Sequence, residues 1–387
     1  MDRNLRLQVP VFVFTRLVMD TTNRMAYPFL VVLSRGLGVE ISTLSFALSW
    51  RNLAGAVGSL FASTADSIGR KVVMLFGMLL FIAGVAVVIF WPIYPVFVLS
   101  LILTTTSSSI FNPVLQAYLG DRVNFNRRGL VLAFLEMSWA LSAIIGLPLV
   151  GFIIARGGWF APFPLFLFLG TISLIVLFWL LPRDSLPKKN SPSILDNFGL
   201  VFASKAALAG LGVAMLILSS HELVSIVFGI WLDDAFGLKI VAMGAASVVI
   251  GVAEMTGQSL IIVVSDHRRA VKLGLLLICL TMIGLPILGR SLPGALFGLF
   301  LFYICLEFTF VNILPLLTEI LPSARATLMA LAITGEFLGR ALIDPLAPVL
   351  YAINLWAVSI AVMVLCCVSL FALRWIKVNH SQGGSNE

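Results

Sequence analysis

Residues 71–91 read KVVMLFGMLLFIAGVAVVIFW, and the 20 residues that follow Lys71 carry no charge. A helix rises 1.5 Å per residue, so about 20 apolar residues cross the hydrocarbon core of a bilayer. Similar stretches recur along the chain and predict twelve membrane-spanning helices. The predicted spans are residues 9–33, 41–63, 71–91, 95–119, 130–155, 160–181, 205–231, 239–264, 271–290, 294–317, 326–350 and 354–376. Because lipid cannot satisfy free backbone groups, the expected fold class is an all-α integral membrane protein.

Composition and charge distribution agree with this class. The chain has 387 residues, of which 60% are hydrophobic and 11% charged, and its mean hydropathy is +1.08. Of the 25 Lys and Arg residues, the predicted spans place 17 on one side, four on the other and four inside helices. By the positive-inside rule, we expect both termini in the cytoplasm and the chain in the plasma (inner) membrane. The net charge of +7 then reflects topology, not a nucleic-acid partner, and residues 1–8 show no cleavable signal.

Two halves of six helices are predicted. A hydrophilic break rich in Pro, Ser and Lys, residues 182–197, separates the sixth and seventh spans. The expected domains are an N-terminal bundle over 1–183, a cytoplasmic linker over 184–203, a C-terminal bundle over 204–376 and a cytoplasmic tail over 377–387. The halves match weakly at a nearly constant offset, in the pairs Gly58/Gly257, Asp66/Asp266, Gly77/Gly274 and Arg128/Arg325. Pseudo-symmetric bundles place a substrate site between them, near the bilayer midplane.

The segment between the second and third spans, residues 58–71 (GSLFASTADSIGRK), carries the most specific motif. It resembles the G-x-x-x-D-x-x-G-R-[RK] loop of the major facilitator superfamily, with Ala62 in place of the expected second glycine. The matching positions are Asp66, Gly69, Arg70 and Lys71. The resemblance implies two pseudo-symmetric six-helix bundles and a cytoplasmic gate that controls switching between inward-open and outward-open states. The alternative is that these basic residues only satisfy the positive-inside rule.

Three residues of this motif also have a physical interpretation. Gly69 permits a tight turn, and Asp66 suits the positive N-terminal end of span three. Arg70 is expected to pair with acids across the seam between the bundles.

A second motif lies at the end of the fifth span. Gly146, Pro148 and Gly151 resemble a degraded form of the G-P-x-x-G-G element of drug and proton antiporters in the same superfamily. The resemblance favours antiport. The alternative is a helix kink or a close packing contact, since Pro and Gly serve both purposes in membrane helices.

Charged residues inside the predicted spans form two stripes. An ionisable side chain at bilayer depth costs roughly 2.5–3.5 kcal/mol by insertion scales, so it usually faces a cavity and is paired. In span one, Arg16, Asp20 and Arg24 follow at intervals of four, so one carboxylate is expected between two guanidinium groups. The second stripe, in span eleven, consists of Glu336, Arg340 and Asp344. One charged stripe in each half predicts a gated polar cavity.

Four more acids lie in the spans and are expected to be unpaired: Glu136, Glu222, Glu254 and Glu307. Desolvation favours the neutral carboxyl, so such a group loads and releases a proton as access alternates. The family geometry implied by the resemblance gives two sets. The candidates for substrate binding or proton coupling are Asp20, Arg16, Arg24, Glu222 and Glu307. The candidates for an inter-bundle charge network are Arg51, Glu136, Glu254, Glu336, Arg340 and Asp344. The alternative for each acid is a permanent ion pair with an intramembrane arginine.

No cofactor or metal site is expected. Four cysteines lie in predicted spans without CxxC spacing, and they and His221 are interpreted as packing residues. These cysteines are Cys279, Cys305, Cys366 and Cys367. The sequence contains no HExxH, G-x-S-x-G or G-x-x-x-x-G-K-[ST] motif, which argues against an intramembrane enzyme and against direct use of ATP.

The leading functional hypothesis is a secondary active transporter that moves a small organic solute by alternating access, with proton-coupled efflux (antiport). The alternatives are a proton-coupled uptake symporter or facilitator for a sugar or organic acid, and a receptor or scaffold without transport. Arg16 and Arg24 suit an anionic solute, whereas the excess of acids suits a cationic or neutral lipophilic one. The expected partners are the solute, the proton and the lipid bilayer, with the chain acting as a monomer.

Overall fold

The computed structural model describes residues 3–62, 65–123, 125–182, 194–321 and 324–376. Residues 184–193 of the predicted linker and the predicted tail 377–387 lie outside the described residues. The side chains of Asp66 and Arg128 also lie outside the description. The proposed division into two bundles, a linker and a tail therefore stays a prediction.

The described residues form helices and no strand. Their bounds are α1 Arg3–Arg24, α2 Leu30–Leu37, α3 Ile41–Phe61, α4 Ala65–Ile68, α5 Arg70–Phe90, α6 Tyr94–Arg122, α7 Phe125–Leu141, α8 Leu147–Gly157, α9 Pro162–Leu180, α10 Ile194–Ala203, α11 Lys205–Phe236, α12 Ile240–Ser259, α13 His267–Leu288, α14 Leu292–Ile320, α15 Arg325–Ile343, α16 Leu346–Ile353 and α17 Leu355–Ala372. A π-helical turn, Ser142–Gly146, joins α7 to α8. α10 fills the described part of the predicted linker, which is helical there.

The first predicted span is continuous in sequence but broken in the structure. α1 ends at Arg24, α2 begins at Leu30, and Pro28 lies between them. Proline has no N–H and its ring disturbs the preceding turn, which explains a break at this point. One hydrogen bond, from Phe29 N to the Met25 carbonyl at 3.3 Å, links the residues on either side.

Nine of the described helical segments are long and apolar enough to cross a membrane. α2 and α3, which meet at 108°, add a tenth candidate if they form one bent span. α1 and α15, with 22 and 19 residues, are also about as long as a bilayer core requires, but they carry the charged stripes. The order of helices follows the predicted order, and the count of twelve spans stays a prediction.

Two helix pairs make the main contacts between the amino-terminal half (α1–α9) and the carboxy-terminal half (α11–α17). α3 packs against α15, and α8 packs against α12. α2 also packs against α11, near the turns at residues 38–40 and 237–239, which we call the far end. The end that contains α4 and Gly69 is called the basic end.

One close approach between the halves, on the side of the far end, involves Gly229 of α11. A Cβ at this position would overlap the carbonyl oxygen of Tyr27 and crowd the backbone of Pro28. The break at Pro28 therefore meets α11 at a residue without a side chain. Phe29 and Leu30, which follow the break, are fully buried.

We predict that Gly229→Ala destabilises the protein, because the new Cβ collides with backbone that cannot move without shifting a helix. Overpacking of this kind costs about 1–3 kcal/mol. The control is Gly212→Ala in the same helix, where a Cβ would meet nothing within 4 Å. That change should leave stability unchanged or raise it by up to about 1 kcal/mol, since Ala favours helix over Gly. Thermal unfolding of the purified protein in detergent compares the two, and equal shifts would contradict the close approach.

Candidate functional site

A cavity of about 210 Å³ lies between the two halves. α1, α3, α6 and α7 line it from the amino-terminal half, and α15 lines it from the carboxy-terminal half. Of its 17 lining residues, only Pro113, Ile333 and Phe337 lack a polar side-chain atom. A lining this polar is unusual for a membrane interior and suits a polar solute.

The cavity is accessible from the basic end. Glu136, which lines it from α7, has 45% of its side chain exposed, and Gln116 of α6 is exposed as well. Glu136 lies 11 residues from the start of α7, about 16 Å along the helix axis. The exposed part of the cavity lining therefore extends from the basic end to about this depth.

The α1 stripe is arranged differently from the sequence-based expectation. Asp20 does not lie between two guanidinium partners: among the described residues it forms no ion pair, and it accepts a hydrogen bond from Ser138 Oγ at 2.8 Å. Arg16 instead donates two hydrogen bonds to Glu136, at 2.8 and 3.2 Å. Arg24 turns to the other half of the chain. Facing helices thus offer better-placed partners than neighbours on the same helix.

Arg24 and Glu254 form a buried link between the halves. The guanidinium donates two hydrogen bonds to the Glu254 carboxylate, at 2.7 and 2.9 Å, and the two side chains are 5% and 0% exposed. Trp139 supports the pair: its ring lies 4.3 Å from the Arg24 guanidinium carbon and its Nε1 donates to Glu254 at 3.3 Å. Such bidentate pairing is geometrically specific and hard to replace.

Glu222 of α11 is the centre of a second buried cluster. The Tyr27 hydroxyl lies 2.9 and 3.0 Å from its two oxygens, and Arg51 donates to the Tyr27 hydroxyl at 2.8 Å. Arg51 and Arg340 approach Glu222 at 3.6 and 3.9 Å. Asp344 is a close neighbour of Glu222, and its Oδ1 atom has no hydrogen-bond partner among the described residues. Residues from α1–α2, α3, α11 and α15 therefore meet at one carboxylate.

Three of the four acids expected to be unpaired are paired. Glu136, Glu222 and Glu254 have arginine neighbours on helices distant in sequence. The expectation that these three are unpaired is therefore wrong, because arginines on other helices reach them. The charge network between the bundles, to which Glu136 and Glu254 were also assigned, stays a prediction. Glu307 accepts one hydrogen bond, from Gln258 at 3.2 Å, and forms no ion pair within the described residues. Glu336 forms neither a hydrogen bond nor an ion pair in that part of the chain, and neither acid lines the cavity.

One group has spacing suited to a metal. Ligand atoms of His221, Glu254 and Glu307 lie within 4.8 Å of one another, and all three residues are buried. The hydrogen bonds from Arg24 occupy both oxygens of Glu254. A metal ion would have to displace the Arg24 guanidinium, because Glu254 already forms an ion pair with it.

The loop motif is built on one unusual backbone conformation. Gly69 has φ of 108°, a region that side chains disfavour, and α5 begins immediately after it. Arg70 forms an ion pair at 2.6 Å with Asp121 of α6, in its own half, and the expected pairing across the seam stays a prediction. Lys71 donates to the carbonyls of Phe178 and Leu181 at the end of α9. The motif thus ties α5, α6 and α9 together at the basic end.

The antiporter-like motif coincides with the π-helical turn. Pro148 has no N–H to donate to the Ile144 carbonyl, and the helix widens into the π-helical turn just before this proline. A Cβ on Gly146 would collide with the side chain of Thr21. Gly151 lies against Phe29 and the backbone of Ile240. These are packing contacts of the seam between the halves, and antiport stays a prediction.

A row of polar residues on α6 is absent from the sequence-based site. The row consists of Thr105, Ser108, Ser109, Asn112 and Gln116, and all five line the cavity. The signal is present in the run TTTSSSIFNP, residues 104–113, which is unusually polar for a membrane span. Apart from the adjacent Ser108 and Ser109, neighbouring members lie three or four residues apart, which puts them on one face of the helix. Trp139, Asn23 and Asn52 also line the cavity and carry no sequence motif.

The sequence matches the model of the Major Facilitator Superfamily over residues 12–344. The chain belongs to this superfamily. Its curated relatives include two proteins of Bacillus subtilis (strain 168), each named an uncharacterized MFS-type transporter. YceJ is 27% identical over 78% of this chain and 79% of its own length. YwfA is 29% identical, but the match covers 33% of this chain and only 31% of YwfA.

Solved structures of the superfamily share the fold. A crystal structure of a D-xylose–proton symporter has a TM-score of 0.77 at 16% identity, covering 96% of this chain and 98% of that one. The inward-open conformation of the xylose transporter XylE from E. coli has a TM-score of 0.74 at 15% identity, covering 97% of both. The all-α membrane fold of the superfamily is therefore confirmed, and family membership indicates a transporter rather than an enzyme.

We predict that Arg24→Gln strongly destabilises the protein, because it leaves the Glu254 charge buried without a partner. Breaking a buried pair costs about 3–5 kcal/mol. The double variant Arg24→Gln with Glu254→Gln should regain most of the loss, since it removes both charges. Arg35→Gln is the control: Arg35 pairs with Asp233 at 2.9 Å but has 70% of its side chain exposed, so its loss should cost at most about 1 kcal/mol. Thermal unfolding in detergent measures all three, and similar losses for Arg24 and Arg35 would contradict the account.

Proposed function

We propose that this chain is a proton-coupled transporter that moves a small polar solute by alternating access. The polar cavity between the halves carries the proposal, because both halves line it and its exposed lining lies toward the basic end. A rocking motion of one half against the other would transfer that access to the other end.

Contacts at the far end support a state closed on that side. Arg35 pairs with Asp233 at 2.9 Å, joining the two halves. α2 packs against α11, and Leu33 and Leu232 of these helices are fully buried. If the basic end faces the cytoplasm, as the positive-inside rule predicts, this is an inward-facing state. Opening the far end requires these contacts to separate.

The closeness of Glu222 and Asp344 supports a proton site. Two neighbouring buried carboxylates repel each other when both are ionised, so a proton on one of them is favoured. The Asp344 Oδ1 atom has no hydrogen-bond donor in the described part of the chain, while Oδ2 accepts from Asn52 at 2.8 Å. Tyr27, Arg51 and Asn52 reach this pair from the amino-terminal half. A change of its protonation therefore alters ties between the halves.

The polar lining supports the solute class of the uptake alternative, a sugar or organic acid, over a lipophilic cation. The antiporter-like motif at Pro148 favours efflux but lies in packing contacts. Asp20, which lines the cavity and binds Ser138, is a second candidate for contact with solute or proton.

We expect the purified chain in sealed liposomes to move protons when a solute from a panel of sugars, organic acids and lipophilic cations is added outside. An internal pH-sensitive dye reports the movement, and the sign of its change separates symport from antiport. Glu222→Gln should abolish proton movement, because the amide can no longer gain or lose a proton. Glu319→Gln, at an exposed acid near the end of α14, is the control and should behave as wild type.

Solute equilibration without protons, unchanged in Glu222→Gln, would refute coupling and leave a facilitator. If no solute of the panel moves, the chain is a receptor or scaffold and the proposal fails.

A further inference from the structure

We propose that the solute is a small hydroxylated organic anion whose carboxylate is bound by Arg340. This proposal rests on the proposed transport function and specifies its substrate class. It rests on a difference among the three arginines that line the cavity. Two of them donate hydrogen bonds to protein groups, and the third does not within the described residues.

Arg16 and Arg51 are held by the protein. Arg16 donates two hydrogen bonds to Glu136. Arg51 donates to the Asn23 carbonyl at 2.9 Å and to the Tyr27 hydroxyl at 2.8 Å. Both guanidinium groups therefore keep a fixed position, with their forked donors directed at protein acceptors.

Arg340 is different. It forms no hydrogen bond in the described residues, and its nearest acid is Glu222, with 3.9 Å between Arg340 Nε and Glu222 Oε2. Its side chain is 18% exposed and lines the cavity next to Phe337. A guanidinium has five N–H donors in a planar fork that matches a carboxylate. A partly buried cation with unused donors is costly unless a ligand satisfies them.

The charge balance of the lining also favours an anion. Arg16 and Glu136 neutralise each other, and Asp20 is the one other acid in the lining. Glu222 and Asp344 lie behind the cavity wall and do not line it. Within the lining alone, three arginines face two acids, which leaves one positive charge in surplus for a solute entering from the basic end.

The amino-terminal half provides groups that suit hydroxyls. Asn112 of α6 lines the cavity, and its buried Oδ1 atom has no donor among the described residues. An orphaned amide oxygen beside a cavity suits a donor on the solute, and a carboxylate has none to offer. Thr105 and Ser108 add hydroxyls on the same face of α6. One anionic end and at least one hydroxyl group satisfy both sides of the cavity.

This assignment makes proton and solute bind together. The charged and titratable groups that face Glu222 are Tyr27, Arg51, His221, Arg340 and Asp344. A carboxylate that draws Arg340 toward the cavity weakens its attraction to Glu222 and favours a proton on the Glu222–Asp344 pair. By linkage, a proton on that pair strengthens anion binding equally. Anion and proton then move in the same direction, as a symporter requires.

The test measures ligand binding to the full-length protein in detergent, without any gradient, by calorimetry. The probes are gluconate, glucuronate and malate as hydroxylated carboxylates, glucose and xylitol as neutral analogues, and choline and tetraphenylphosphonium as cations. We expect at least one carboxylate to bind, more tightly at lower pH, and the neutral and cationic probes not to bind. Arg340→Gln should weaken that binding about tenfold to a hundredfold, the usual effect of a charge-assisted hydrogen bond.

Two further variants keep the test decisive. Arg340→Lys retains the charge without the fork and should bind more weakly than wild type but better than Arg340→Gln. Arg290→Gln, at an exposed turn outside the cavity, should bind as wild type. Binding of neutral or cationic probes in place of carboxylates, no binding of any carboxylate, or unchanged binding in Arg340→Gln would each overturn the proposal. Proton-coupled movement of a neutral solute would leave the transport function standing and refute only the anion assignment.

Discussion

Arg24 and Glu254 are 5% and 0% exposed, and neither charge is tolerable at that depth without the other. Because the arginine belongs to α1 and the glutamate to α12, the need to pair them holds the two halves of the chain in register. Close packing adds to this constraint. Gly229 of α11 allows the broken first span to pack closely against that helix, and Trp139 of α7 contacts the ion pair. The polar cavity lies in the space that these contacts leave between the halves.

The cluster around Glu222 is held less tightly than the Arg24–Glu254 pair. Its two arginines approach at 3.6 and 3.9 Å, whereas Arg24 donates two hydrogen bonds to Glu254 at 2.7 and 2.9 Å. A second carboxyl, Asp344, lies close to Glu222 and shares its surroundings. Such a site should gain or lose a proton with less loss of structure than a bidentate ion pair. In the proposed transport cycle, the tight pair is a fixed link and the Glu222 cluster is the part that changes.

Much of the fold follows from local sequence, and much of the site does not. The apolar runs indicate the spans because each must cross a bilayer of fixed thickness. The motif of Asp66, Gly69, Arg70 and Lys71 is recognisable in the sequence because it is local. At Gly69, for example, the φ of 108° restricts the position to glycine. The partner of each buried charge depends instead on contacts between helices far apart in sequence. Glu136 and Arg16 are 120 positions apart, and Arg24 and Glu254 are 230 apart. The polar row on α6 was recognisable in TTTSSSIFNP, but hydroxyl residues in a membrane helix often bond their own backbone, so the run alone does not specify a cavity.

In the proposed transport cycle, the protonation state of the Glu222 cluster controls whether the far end is closed. The most direct measurement is the distance between spin labels at Val39 and Lys239, which flank the far end, after replacement of the four native cysteines. Distances would be recorded at neutral and at acidic pH, in wild type and in Glu222→Gln. The account predicts a closed far end at neutral pH in wild type, longer distances at acidic pH, and longer distances at both pH values in the variant. Identical distance distributions in both proteins at both pH values would contradict it.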